Sequence, residues 1–240
     1  MKLLPILALV FAVGCADDET SANEIGITYH TVTDDLVEGT FRTAYGTLEF
    51  RSVVVSDGVV DVSFGRGDTR FGSHVDWGTL TNDLTFADGF QVTTDDKFLM
   101  LALTTALEAD IGNQTPASDN LIRQAILWGH HPEGDVVQAK IVADAERGWT
   151  RLCNVSAYTF NHDAWSHGQQ YEYLSAGIDE RANPCRDRCG PGCTAWWGTS
   201  AWTKDCGDHD RCEQTHNSVN CGDEFSRASD DYSFAGNCPY

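Results

Sequence analysis

The residues best suited to chemistry lie in Cys185–Cys212, which reads CRDRCGPGCTAWWGTSAWTKDCGDHDRC. His209 and Asp210 are neighbours, so on a helix their side chains diverge by about 100°. One can then face a reacting group while the other faces an ion. Cys206 and Cys212 bracket the pair and can staple that helix to two other segments. A histidine and a carboxylate held this way suit a general base beside a metal-binding oxygen. Upstream, Gly190 and Gly192 in Cys189–Cys193 admit backbone angles that other residues avoid, so peptide carbonyls can converge there. Ca²⁺ takes carbonyl and carboxylate oxygens. The turn and the helix carboxylate together make a candidate Ca²⁺ site.

The order C-G-x-G, a spacer, then C-x-x-H-D-x-C resembles the secreted phospholipase A2 superfamily. The resemblance covers only about Cys185–Cys238. It implies that His209 activates the attacking water and that Asp210 supplies the side-chain Ca²⁺ ligand. The carbonyls of Arg188, Gly190 and Gly192 would complete the protein ligands, and the Gly190 N–H would help hold the oxyanion. It also implies the disulfides Cys189–Cys206 and Cys212–Cys221, which leaves Cys153, Cys185, Cys193 and Cys238 for two more. The chain departs from the animal pattern in three places. Glu213 stands where Tyr is usual, and Trp202-Thr203 stands where Leu-Asp is usual. Cys221 is followed by Gly222, so Asp223 sits one place late as the group that orients the histidine; Asp230 and Asp231 are the next candidates.

The implied activity is that of a phospholipase A2-like carboxylic ester hydrolase: Ca²⁺-dependent hydrolysis of a glycerophospholipid ester, by analogy at the sn-2 position. Two other classes fit the same residues. One is a catalytically inactive phospholipase-like binding module. The other is a disulfide-stabilised cell-envelope adaptor, in which His209 and Asp210 only satisfy polar groups.

The elements that must position these residues give an α+β fold class. An N-terminal antiparallel β meander with one or two helices occupies 25–150, and a small disulfide-rich helical phospholipase A2-like domain occupies 151–240. Thr47–Val55 and Val59–Phe64 are rich in β-branched residues and partly alternate, with Asp57-Gly58 as a hairpin signal between them. Thr69–Val75, Thr79–Phe86 and Phe90–Val92 continue the alternation. Thr93–Ile111 changes to a helical period, with Thr94, Asp95 and Asp96 at its start and Gly112 at its end. Asp119–Trp128 reads as a second helix ended by Gly129, after a loop over Asn113–Ser118. Val136–Ala143 is strand or helix, Tyr171–Ile178 a short helix, and Asp223–Phe234 a helix packed on the one that carries His209. The boundary between the two parts falls near Trp149–Cys153.

Three further features compete for a role. His130-His131 is a histidine pair, but adjacent histidines without a carboxylate pattern make a poor metal site. Asn161-His162-Asp163 lacks bracketing cysteines and a glycine turn, and its aromatic neighbours suggest packing. Trp196, Trp197 and Trp202 suit either a small core wrapped around disulfides or a collar at a membrane–water boundary. A collar of that kind would serve a phospholipid membrane surface as partner.

Composition bounds the setting. A formal net charge of −20 argues against nucleic acid as partner and disfavours a strongly anionic membrane. Met1–Gly14 has a short positive start and an apolar stretch too short to span a bilayer, which is the pattern of a signal peptide. Ala12-Val13-Gly14-Cys15 resembles a bacterial lipobox. Export to the cell envelope follows, with an outer-membrane lipid anchor on Cys15 and 15–24 as the tether. Of nine cysteines, seven lie in Cys185–Cys238. In an exported chain that density reads as a disulfide framework; a structural zinc site would need repeated C-x-x-C spacing, which is absent.

Overall fold

The computed structural model describes residues 25–143, 158–162, 170–174, 189, 203–215 and 218–235. Met1–Gly14, Cys15, the 144–157 boundary and the three clustered tryptophans lie outside them. So do Cys153, Cys185, Cys193 and Cys238.

The expected meander forms. Six strands follow one another, β1 Gly26–Val32, β2 Leu36–Thr43, β3 Gly46–Ser56, β4 Val59–Arg66, β5 Thr69–Asp76 and β6 Thr81–Phe86. Every neighbouring pair is antiparallel. Period-two alternation gives the sheet its faces. In β3, Leu48, Phe50 and Ser52 are buried while Glu49 and Arg51 are exposed; in β4, Val60, Val62 and Phe64 are buried. The β3–β4 turn uses Gly58 at φ +72°, a conformation that favours glycine and accounts for the Asp57-Gly58 signal.

The segment after β6 leaves the meander. β7 Gln91–Val92 pairs with β8 Gly134–Asp135 rather than with the large sheet. β9 Lys140–Val142 joins that sheet beside β6, so the Val136–Ala143 run holds a short strand near its end and no helix.

Between β7 and β8 lie two helices, α1 Thr94–Asp110 and α2 Pro116–His130. Thr93 caps α1. It accepts from the Asp96 N–H, while the Asp96 carboxylate accepts from the Thr93 N–H, closing a capping box. α2 is longer than Asp119–Trp128 at both ends. Thr115 and Ser118 form a second capping box with Pro116 in the first turn, so the helix begins inside the expected loop. Gly129 does not end it. A Cβ there would lie 2.5 Å from Leu101 Cδ2, so this glycine lets α1 and α2 approach, and the helix runs on to His130.

Two helices complete the described chain, α3 Lys204–Thr215 and α4 Gly222–Phe234, with a 3-10 turn at Ser218–Asn220 between them. α4 starts one residue before the expected Asp223. Tyr171–Ile178 is corrected: Gln170–Leu174 is a strand, β11, paired antiparallel with β10 Tyr158–His162. Its alternating tyrosines suit a strand better than a helix.

The packing is layered. α2 lies across β2 to β5, α1 packs on α2, and α4 packs against both α2 and α3. One buried apolar cluster runs from Leu48 and Phe64 in the sheet through Leu121 and Trp128 to Cys206, Phe225, Tyr232 and Phe234. Polar ties cross it as well. Asn82 Nδ2 on β6 donates to Gln124 Oε1 on α2 (2.8 Å) and to Ser233 Oγ on α4 (3.1 Å). The expected division near Trp149–Cys153 therefore separates stretches of sequence whose described helices share one core. Among the described residues no helix is long and apolar enough to cross a membrane.

Candidate functional site

α3 is fixed at both ends. Thr203 accepts from the Cys206 N–H through Oγ1 (3.2 Å), as an N-cap does. Cys206 is bonded to Cys189, and Cys212 near the other end is bonded to Cys221. These are the two pairings the resemblance implies. Asp208 is buried and held by Lys204 one turn before it.

His209 faces into the core, with 0 % of its surface exposed. The Tyr232 hydroxyl lies 3.1 Å from Nδ1, and Glu213 Oε1 lies 3.9 Å from Nε2. Glu213 is one turn after His209 on the same helix face. Its carboxylate also accepts from Lys97 Nζ of α1 at 2.9 Å and lies 3.7 Å from His130 Nδ1 of α2. The His130 ring stacks on Tyr232 at 5.1 Å and meets His209 edge-on at 5.6 Å. Tyr232 and Phe225, two turns apart on α4, both face His209 at 6.0 Å.

Burial dominates the protonation states. It pushes the His209 pKa down to about 3, against the pull of Glu213 and with help from His130, Lys97 and His131. Burial, then the charges of Asp210, Glu213 and Asp231, push Tyr232 well above the usual phenol range, so its hydroxyl keeps its proton. Burial would raise Glu213 too, but the neighbouring His130, His209 and Lys97 outweigh it and hold the carboxyl below its usual range. Beside the neutral His209, Glu213 is paired with Lys97. A carboxylate beside Nε2 favours the tautomer protonated there, and Tyr232 then donates to a bare Nδ1.

His131 is a different case. Its Nδ1–H donates to the Pro132 carbonyl (2.8 Å), and its Nε2 accepts from the Val137 N–H (3.3 Å). Burial, first of all, takes its pKa down to about 4. It is a satisfied core histidine, so His130 and His131 do not act as a pair.

His209 and Asp210 each offer a ligand atom within 4.8 Å of the other's. Asp223 is not with them: it is exposed in the first turn of α4, while Tyr232 and Glu213 flank the two imidazole nitrogens. Asp230 and Asp231 are buried on α4, and the group that meets His209 Nδ1 is the Tyr232 hydroxyl. Arg188, Gly190 and Gly192 lie outside the described residues. Sequence reasoning missed Lys97 and His130 as neighbours of His209, and reached Tyr232 only through the packing of the Asp223–Phe234 helix on the helix that carries His209. Glu213 carried a signal, as a departure from the animal pattern.

The described donors do not form a Ca²⁺ set. Asp210 is the one implied ligand among them, and its companions are imidazole nitrogens. One ligand atom each from His130, His209 and Asp210 lie within 4.8 Å of one another, and a hard cation prefers oxygen. Cys212, Cys221 and Glu224 also converge, but the two cysteines are joined to each other and offer no thiolate. A separate cavity of about 910 Å³ opens where the β3–β4 hairpin meets the start of α2. It is lined by Asp57, Trp77, Asn120 and Arg123 among others and by none of the residues around His209. No family model, no curated protein and no solved structure matches this chain.

Proposed function

We propose that the protein hydrolyses a glycerophospholipid ester in the manner of a secreted phospholipase A2, with water activated by His209. The observation that carries this reading is the doubly cross-linked α3. Cys206 is tied to Cys189 at the head of the glycine turn, and Cys212 is tied to the start of α4, around a neutral imidazole with Asp210 beside it. A neutral histidine can take a proton at physiological pH. Glu213 fixes the tautomer, leaving Nδ1 as the accepting atom, and water takes the place of the Tyr232 hydroxyl when substrate enters. Glu213, steadied by Lys97, then stabilises the imidazolium that forms. Ca²⁺ dependence belongs to the proposal through Asp210 and the carbonyls of Arg188, Gly190 and Gly192. Export and a lipid tether on Cys15 would place the site at an envelope membrane.

The complete burial of His209 favours a second reading, a phospholipase-like module that binds lipid without turnover. Fatty-acid release from mixed phospholipid–detergent micelles, with Ca²⁺ or with a chelator, separates the two. Hydrolysis predicts release that His209→Gln lowers by about 100-fold or more and that Asp210→Asn removes in its Ca²⁺-dependent part. Micelle binding by the intact chain without release establishes the silent module instead.

A further inference from the structure

We propose that His130, His209 and Asp210 form a site for a divalent transition-metal ion of the zinc class. Three observations carry this. The three residues present ligand atoms within 4.8 Å of one another, a spacing that one ion at the centre can span. His130 and His209 are 8 % and 0 % exposed, yet both nitrogens of His130 and Nε2 of His209 have no hydrogen-bond partner. Buried polar atoms are nearly always satisfied, so three orphaned nitrogens in one place call for a ligand. The donor set itself, two imidazoles and one carboxylate, is borderline-soft and suits Zn²⁺, which binds through three protein ligands with a fourth position open.

The surroundings agree. Metal-bound imidazoles usually present their second nitrogen to a hydrogen-bonding group, often a carboxylate; Glu213 lies 3.7 Å from His130 Nδ1, and the Tyr232 hydroxyl lies 3.1 Å from His209 Nδ1, which leaves the Nε2 atom of each ring to the ion. The nearby Lys97 would repel a cation, but its ammonium is matched by Glu213 at 2.9 Å. The disulfides indicate an oxidising setting, where redox-inert Zn²⁺ is favoured over Fe²⁺. His130 comes from α2 and the other two ligands from α3, so an ion here clamps the N-terminal part to the cross-linked helix. Occupancy also removes His209 as a base. That consequence rests on the hydrolytic reading; the binding itself does not.

The test is calorimetric titration of the full chain, disulfides intact and stripped with a chelator, with Zn²⁺ in a large excess of Ca²⁺. The expected result is one ion per chain, with His130→Gln and Asp210→Asn each weakening binding by about 100-fold, while His74→Gln leaves it unchanged. His74 is an exposed histidine paired with Asp61 at 2.6 Å and serves as the control for adventitious surface binding. A Co²⁺ titration of the unmutated chain needs no variant; the site predicts the intense visible bands of a four-coordinate ion. Weak six-coordinate bands, no saturable Zn²⁺ binding, or equal binding by the His130→Gln chain would overturn the proposal. Zn²⁺ binding, with no lipid hydrolysis by the Zn²⁺-free chain in Ca²⁺, removes the hydrolytic reading alone, and hydrolysis without Zn²⁺ binding removes the metal site alone.

Discussion

His209 and His131 are both neutral because the protein surrounds them, with pKa values near about 3 and about 4. In an unfolded chain a histidine titrates near about 6.5. Between those values the unfolded chain binds more protons than the folded one, so stability rises with pH across that window and levels off above it. Each histidine contributes up to about 1.4 kcal/mol per pH unit. In metal-free protein the urea midpoint should therefore fall between about pH 7 and about pH 5, above the range in which carboxylates take up protons. His209→Gln should flatten that fall by roughly half, since one of two such groups is removed. A midpoint constant over this range would mean that neither imidazole is as enclosed as described. At this scale the sequence was legible where chemistry and spacing coincide: His209, Asp210 and the cysteines around them. It was opaque for His130, whose position 79 residues before His209 in sequence carries no trace of their edge-to-face contact.

α1 links backbone chemistry to the site. Its first turn is set by the Thr93–Asp96 capping box and by Arg66, which reaches Asp95 at 3.1 Å and Asp96 at 3.0 Å. Lys97 follows directly, so the cap also aims the ammonium that holds Glu213. Thr93→Ala should lower stability by about 1 kcal/mol, read by urea unfolding, and leave the α1 N-terminus frayed by amide exchange. An unchanged midpoint would assign the cap no role. Element by element, alternation and turn chemistry in the sequence pointed to β3, β4 and β5 nearly to the residue. The errors have local causes. Gly129 looked like a stop because glycine commonly follows a helix, yet here its missing Cβ makes room for Leu101. Tyr171–Ile178 looked helical because a short apolar run does not reveal its period, and the pairing with Tyr158–His162 decided it.

Across the whole molecule, the sheet and the cross-linked helices form one core. Phe234 packs edge-on against Trp77 at 5.3 Å, and Arg123 of α2 donates to the Ala235 carbonyl at 2.9 Å. Single-core proteins unfold in one step. Tryptophan fluorescence and far-ultraviolet circular dichroism should therefore report coincident urea transitions for the full chain. Residues 151–240 alone, deprived of α2, should not rebuild the enclosure around His209. Two separated transitions, or a natively folded 151–240 fragment, would favour the two-part picture, divided near Trp149–Cys153, that cysteine density suggests. That picture arose because cysteine density marks where covalent bonds are and says nothing of which apolar faces they are pressed against.

An imidazole with no surface of its own sets a speed limit on whatever happens there. His130 of α2 and Tyr232 of α4 lie against it, so a water or an ion entering between them has to part those two helices. The tempo of this protein is then written in the breathing of His130 and Tyr232 away from His209, and less in the bond-making steps that follow.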